Sequence, residues 1–297
     1  MDHLRFLESE AIFILREVAA SFKNPALLFS GGKDSTLLIH LAEKAFYPAP
    51  IPFCLVHIDT GHNFPEVIQF RKEVVEKYDL KLVIGNVENT IKAGLAGEPS
   101  GKIKSRNLIQ SVTLLETIKN HKFDALLGGA RRDEEKARAK ERIFSLRNSF
   151  GQWDPRNQRV ELGMLFNYRM KNDEHMRIFP ISNWTERDVW EYIERENIDL
   201  PSLYFSHSRR CVRMSNGVLL ADSPYFTPDK TEKIEELRVR CRTVGDVLCT
   251  GLMESTARNA KEVLSEISAL KKAERGTRTD DKISYSAMED RKREGYF

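Results

Sequence analysis

The chain has 297 residues, 41% apolar and 31% charged, which suits one large domain or a domain with an appendage. A net charge of +3 is too small to mark a general nucleic-acid binder. No apolar run reaches the roughly 18 residues of a membrane span, the amino terminus lacks the pattern of a signal peptide, and Cys54, Cys211, Cys241 and Cys249 form no C-x-x-C pair. These features predict a cytoplasmic protein with reduced thiols and no membrane partner.

In chain order, Leu4, Leu7, Ala11, Leu15 and Val18 fall at helical spacing and predict an opening amphipathic helix. Residues 26–29 suit a buried strand and 36–45 a helix. A second apolar run, 51–58, ends in His57-Ile58-Asp59-Thr60-Gly61, and 65–78 reads as a helix. A third strand is expected at 81–85, a mobile loop at 97–101, and a helix through Leu108, Val112, Leu115 and Ile118. Residues 123–127 read as a fourth strand ending at Gly128-Gly129, and a highly charged helix is expected from Asp133. Residues 151–175 show little periodicity, and Ile178-Phe179-Pro180 reads as an edge strand. Thr185 is the expected N-cap of a helix through Val189, Tyr192 and Ile193. The last hundred residues read as polar and helical in patches, with a basic finish at 291–293.

Strands alternating with helices at this spacing predict an α/β fold, a parallel sheet with helices on both faces. Ligands of such sheets bind beyond the carboxyl ends of the strands. The segments 30–36, 59–64 and 128–135 all follow strands and should meet there. We expect a catalytic domain over 1–200 and a less regular, partly helical extension over 201–297.

The first of these segments reads S-G-G-K-D-S. Gly31 and Gly32 let the backbone wrap an oxyanion, the following helix start points N–H groups at it, and Ser30, Ser35, Thr36 and Lys33 add donors and charge. It is not a Walker A loop, because Leu27 and Asp34 stand where that motif needs Gly and Ser or Thr. Its adjacent glycines also fail the G-x-G-x-x-G pattern. It resembles the S-G-G-x-D-S loop of the N-type ATP pyrophosphatases, which cleave ATP between the α and β phosphates. In that family the loop grips the departing pyrophosphate.

Asp59-Thr60-Gly61 can meet adenine or ribose, or serve as a plain turn with Asp59 as its cap. His57 and His62, with no third ligand, make a poor metal site and read as structural or substrate-facing. In L-L-G-G-A-R-R-D-E-E-K-A-R-A-K-E-R, Arg131 and Arg132 follow a strand end, and guanidinium groups match phosphate and sulfate oxygens. The distal part, Lys136 to Arg142, reads as a solvated face. Arg147, Arg156 and Arg159 surround Trp153 in a loop that suits single-stranded nucleic acid, a small polyanion or a partner protein alike. Arg209 and Arg210 read as surface residues.

Five segments carry a more specific resemblance: G-A-R-R-D-E-E-K-A-R-A-K-E-R, Q-W-D-P-R-N-Q-R, F-P-I-S-N-W-T-E-R-D-V-W-E-Y-I, R-T-V-G-D-V-L-C-T-G and M-E-D-R-K-R-E-G-Y-F. With them the whole chain resembles the small subunit of the bacterial two-subunit sulfate adenylyltransferase. That family is PAPS reductase-like, with an adenine nucleotide alpha-hydrolase-like fold. The resemblance implies ATP + sulfate → adenosine 5′-phosphosulfate + pyrophosphate, the first step of sulfate assimilation, driven by GTP hydrolysis on a large partner subunit. It implies Ser30, Gly31, Gly32, Lys33 and Ser35 around pyrophosphate, and Phe29, Asp59, Thr60 and Gly128 around the nucleotide. Lys33, Arg131 and Arg132 are then catalytic, and Asp34 orients the loop or helps hold Mg²⁺. The carboxyl-terminal third is the expected partner contact, and no nucleic acid is expected. The rival readings are an activated-sulfate reductase, which needs a nucleophilic cysteine in an E-C-G-x-H context, a tRNA-modifying enzyme, which usually has paired cysteines, and a nucleotide-binding regulatory module.

Overall fold

The computed structural model describes residues 2–99, 105–158, 160–161, 163, 165–166, 168–214, 217–229 and 232–269. Helix α1 (His3–Ser21) buries Leu4, Leu7, Ala11, Ile14, Leu15 and Val18, the stripe its periodicity predicts. Strand β1 (Pro25–Leu28) leads through the glycine loop into α2 (Lys33–Phe46). There follow β2 (Cys54–Asp59), α3 (Pro65–Lys77), β3 (Leu82–Asn86), α4 (Val87–Lys92), α5 (Asn107–His121) and β4 (Ala125–Leu127). Next come α6 (Lys136–Ala139), β5 (Phe144–Arg147), β6 (His175–Ile178) and α7 (Glu186–Glu196).

The sheet runs β3-β2-β1-β4-β6-β5, parallel throughout except that β5 pairs antiparallel with β6. Side chains alternate across it, as the period of two requires. Leu27, Phe29, Leu55 and Leu127 join the cluster of α1, α2, α3 and α7, while Ala26, Leu28, Val56 and Leu126 join Leu114 and Ile118 of α5. Both faces are thereby covered, and the fold is the expected α/β one, a mostly parallel sheet between two layers of helices.

Three expectations need correction. The charged helix from Asp133 is only the four residues of α6, because Glu134, Arg138 and Glu141 turn inward instead of lining a solvated face. The sheet's expected edge strand at 178–180 is instead β6, set between β4 and the unanticipated β5. On the outer side of β5, the Phe144 and Leu146 N–H groups donate to Glu161 Oε1 (2.7 Å) and Gln158 Oε1 (3.0 Å).

Third, the carboxyl-terminal extension is more β than helix. Strands β7 (His207–Arg213), β8 (Leu219–Ala221), β9 (Lys233–Cys241) and β10 (Leu252–Glu254) close into an antiparallel barrel, and α8 (Ala260–Ala269) follows. The alternating charges of K-I-E-E-L-R-V-R-C conceal β9, which pairs with β7 along its length. Arg209 is also not a free surface residue, since it pairs with Glu66 and lies over the Phe64 ring, whereas Arg210 is exposed and pairs with Asp222. The basic finish at 291–293 lies outside the described residues.

Candidate active site

The glycine loop turns on Gly31, which sits at φ +74° in the region that favours glycine. A Cβ there would stand 2.6 Å from Val67 Cγ1, so both conformation and space require the missing side chain. Helix α2 then starts with no side-chain cap hydrogen bond at Gly32. Two of the loop's N–H groups are engaged from outside the helix. Gly32 N–H donates to Ser30 Oγ at 3.2 Å and Lys33 N–H to the Tyr204 hydroxyl at 2.9 Å.

Asp34 is the centre of the charge arrangement. Lys33 Nζ donates to its Oδ2 and Arg131 Nε to its Oδ1, each at 2.8 Å. Both cationic side chains have no solvent exposure, while the Asp34 side chain keeps 21%. One partly open carboxylate thus fronts two buried cations, held at the strand ends by α2 and by the segment after β4. Arg131 is fixed further by its own N–H donating to Glu134 Oε1 at 2.9 Å. Buried charge of this kind is costly unless paired, and its concentration at a cleft makes this the candidate functional site.

The cleft above the loop has a volume of about 180 Å³. Of the residues singled out from sequence, Phe29, Ser30, Gly32, Asp34, Ser35 and Gly128 line it. Gly31, Lys33 and Arg131 stand behind that lining. Arg132 points elsewhere, with its guanidinium on Asn183 Oδ1 (2.5 Å) and near Glu161 (3.8 Å). Asp59 accepts from Gly61 N–H (2.9 Å) and lies 3.6 Å from Arg71, and Thr60 bonds Asn63 Oδ1 at 2.6 Å. Both therefore build the turn after β2 and do not line the cleft. Trp153 and Arg147 are buried, so neither can stack on a base or meet a phosphate at the surface. Arg156 is exposed and Arg159 lies outside the described residues.

His57 is a structural residue. Its Nδ1–H donates to the Phe29 carbonyl at 2.8 Å, which leaves Nε2 to accept from Asn63 Nδ2. Burial, assisted by Arg71, pushes its pKa down to about 4, so the ring is neutral. His62 stacks on Tyr225 at 3.8 Å, and burial with Arg106 lowers its pKa too. Among the described residues no group of three or more His, Cys, Asp or Glu could hold a metal ion.

Sequence reasoning missed Tyr204, Glu134, Arg138, Asn107, Gln110 and the segment Thr243-Val244-Gly245, all of which line the cleft. Arg138 is only 8% exposed and its Nε lies 3.1 Å from Glu134 Oε2, so it is braced within the cleft wall. The distinctive run R-T-V-G-D was the available signal for the last group. The barrel loop that carries it reaches the turn after β2, where Val247 N–H donates to the His62 carbonyl at 2.9 Å.

Comparison with known proteins shows the family of the chain. Residues 24–252 match the phosphoadenosine phosphosulfate reductase domain family. The chain is 57% identical to "Sulfate adenylyltransferase subunit 2" of Mycolicibacterium gilvum, covering 100% of this chain and 95% of that protein. It is 54% identical to the protein of the same name from Streptomyces lavendulae, covering 100% and 92% respectively. Among solved structures, a phosphoadenylyl-sulfate reductase from Candida auris aligns with a TM-score of 0.46 at 19% identity, over 68% of this chain and 89% of that one. The chain belongs to the sulfate adenylyltransferase subunit 2 family and is an enzyme subunit built on the phosphoadenosine phosphosulfate reductase domain.

Proposed function

We propose that this subunit transfers AMP from ATP to sulfate, and that GTP hydrolysis on a separate large subunit drives the transfer. A sulfate oxygen forms a bond to the α-phosphorus while the bridging bond to the β-phosphate breaks, and pyrophosphate leaves with that electron pair. Sulfate is already ionised, so no general base is needed. The protein's contribution is positioning and positive charge where charge accumulates. The observation that carries this reading is the Lys33–Asp34–Arg131 arrangement beneath an open glycine loop. A polyphosphate entering the cleft can take over from Asp34 as the counter-anion of the two cations.

Lys33 and Arg131 are the proposed electrostatic catalysts, with Ser30, Gly31, Gly32 and Ser35 around pyrophosphate and Phe29 and Gly128 against the nucleoside. Asp59 and Thr60 would act through the backbone of the turn they brace. Arg132 could reach an anion only by releasing Asn183, whereas Arg138 already lines the cleft. Once phosphate oxygens take over Lys33 and Arg131, the partly open Asp34 carboxylate would be released, so it fits as one ligand of a Mg²⁺ carried mainly by the nucleotide's own phosphates. When bound, that ion would neutralise phosphate charge.

A reductase reading requires a reactive thiol, and the cysteines do not favour it. Burial pushes Cys211 up to about 11 and Cys241 up to about 12, and Cys249 is buried against Ser105 Oγ at 2.9 Å. No disulfide joins any of the four.

We place the partner contact on the extension over 201–297, where β7 and β9 present Arg210, Arg213 and the 47%-exposed Ile234. Ile234→Asp should weaken co-purification with the large subunit, and an undiminished complex would remove this assignment. The reaction is tested by following pyrophosphate with ATP, Mg²⁺ and sulfate, with and without the large subunit and GTP. Sulfate-dependent release that rises with GTP is expected. Release indifferent to sulfate under every condition would overturn the proposal.

A further inference from the structure

The first N–H groups of a helix have no partner within the helix and serve as anion donors where a ligand reaches them. In α2 the Lys33 N–H is instead held by a side chain from far along the chain, the hydroxyl of Tyr204, at 2.9 Å. The approach is close enough that a side chain on Gly32 would be crowded. A Cβ on Gly32 would stand 3.3 Å from the Tyr204 oxygen and 3.2 Å from Ser30 Oγ. The phenol is 1% exposed and lines the cleft with Ser30, Asp34 and Ser35. Its ring is held edge-on by Trp190 of α7, centroids 5.8 Å apart at 74°. Tyr204 ends a short 3-10 turn, Ser202–Tyr204, and β7 of the barrel begins three residues later.

We propose that Tyr204 is a positioning residue for the departing pyrophosphate: its hydroxyl fixes the Lys33 N–H, and so the curvature of the glycine loop, from the barrel side. The proposal rests on the adenylyl-transfer reading above. An oxygen that accepts from Lys33 N–H directs its own proton away from the loop backbone. A phenol is also uncharged at neutral pH, so it can stand beside phosphate oxygens where a carboxylate would repel them. Loop curvature matters most as charge moves onto the leaving group, because donor placement then acts on the transition state more than on bound ATP. The hydroxyl therefore governs turnover and pyrophosphate affinity, and it has no part in sulfate binding.

The test uses the full chain assembled with its large subunit and supplied with GTP. Tyr204→Phe keeps the ring and its Trp190 contact and removes only the oxygen. The expected result is a kcat lower by about tenfold, less than the 10²–10³ of a donor that touches the oxyanion itself. Pyrophosphate inhibition should weaken by a similar factor, with the KM for sulfate unchanged. Gly32→Ala, alone and combined with Tyr204→Phe, forms a second arm. The added methyl crowds the phenol oxygen, so the double variant should lose less than the product of the single losses. Parental kcat and parental pyrophosphate inhibition in Tyr204→Phe would overturn the role of Tyr204, as would strictly multiplicative losses in the double variant. A parent enzyme that releases no pyrophosphate in response to sulfate would instead overturn the activity on which the proposal rests.

Discussion

Asp34 faces Lys33 Nζ on one oxygen and Arg131 Nε on the other, and neither cation reaches solvent. Asp34→Asn keeps the shape but removes the carboxylate charge that both buried cations share, leaving Arg131 the more distant Asp133 at 3.5 Å. We expect it to lower stability by about 3–5 kcal/mol, the range for breaking a buried pair, and to lose most sulfate-dependent activity. A denaturant midpoint equal to that of the parent would contradict this. His57 supplies a pH test. Its folded pKa of about 4 lies below the ordinary 6.5, so the unfolded chain takes up the proton first as pH falls. Its contribution is constant above about pH 6.5 and declines from there to about pH 4 by about 3 kcal/mol. Unfolding free energies across that window should fall less steeply in His57→Asn than in the parent. The glycine loop was legible because all its residues are consecutive. Tyr204, Arg138 and Thr243-Val244-Gly245 were not, because only the fold brings them to the loop and no local spacing announces them.

At the scale of elements, α7 shows the local rules at their clearest. Thr185 is the N-cap its sequence predicts, and the structure adds a reciprocal pair: Thr185 Oγ1 accepts from Asp188 N–H at 3.1 Å, and Asp188 Oδ2 accepts from Thr185 N–H at 2.8 Å. Thr185→Ala should cost about 1 kcal/mol in thermal unfolding. Helices α1, α2 and α7 meet around Lys44, which bonds Glu8 at 2.8 Å, the Tyr192 hydroxyl at 3.0 Å and Glu196 at 3.1 Å. Burial alone would raise the Glu8 and Glu196 carboxyls, but hydrogen bonds from Lys44 and its neighbours outweigh it, and both end below 4.5. Their contribution is present above the ordinary carboxyl range and is lost as pH falls through their lowered values. In Lys44→Met that acid-side loss should shrink, as read from acid-induced unfolding followed by circular dichroism. Strand β5 was missed, and the helix from Asp133 was expected too long, for a related reason. Glu141 and Arg147 look solvent-bound in sequence, but they form a buried ion pair that lets charged residues occupy the interior.

Across the whole molecule, the barrel is joined to the sheet by polar contacts at several points. Arg242 holds Glu186 of α7 through two hydrogen bonds, Nε to Oε1 at 3.0 Å and Nη2 to Oε2 at 2.6 Å, with both side chains buried. Arg209 pairs with Glu66 of α3, and the Tyr225 hydroxyl donates to the Gly61 carbonyl at 3.0 Å. Arg242→Ala leaves the Glu186 carboxylate buried without its cation and should lower stability by about 3–5 kcal/mol. Arg242→Ala/Glu186→Gln should recover part of that loss in the same denaturant titration. The parallel sheet was readable from the alternation of apolar runs and helices. The barrel was not, since its strands are short or carry charges on alternate residues, and their pairing is set by partners distant in sequence.

The amide contacts along β5 have a consequence for how the protein behaves in a crowded solution. An open sheet edge is a template for another chain's strand, and natural proteins block such edges to avoid aggregation. Here Gln158 and Glu161 occupy the outward donors of Phe144 and Leu146, and Gln158 Nε2 also donates to the Leu146 carbonyl. The chain thus seals that edge with its own side chains and keeps foreign strands from extending the sheet there.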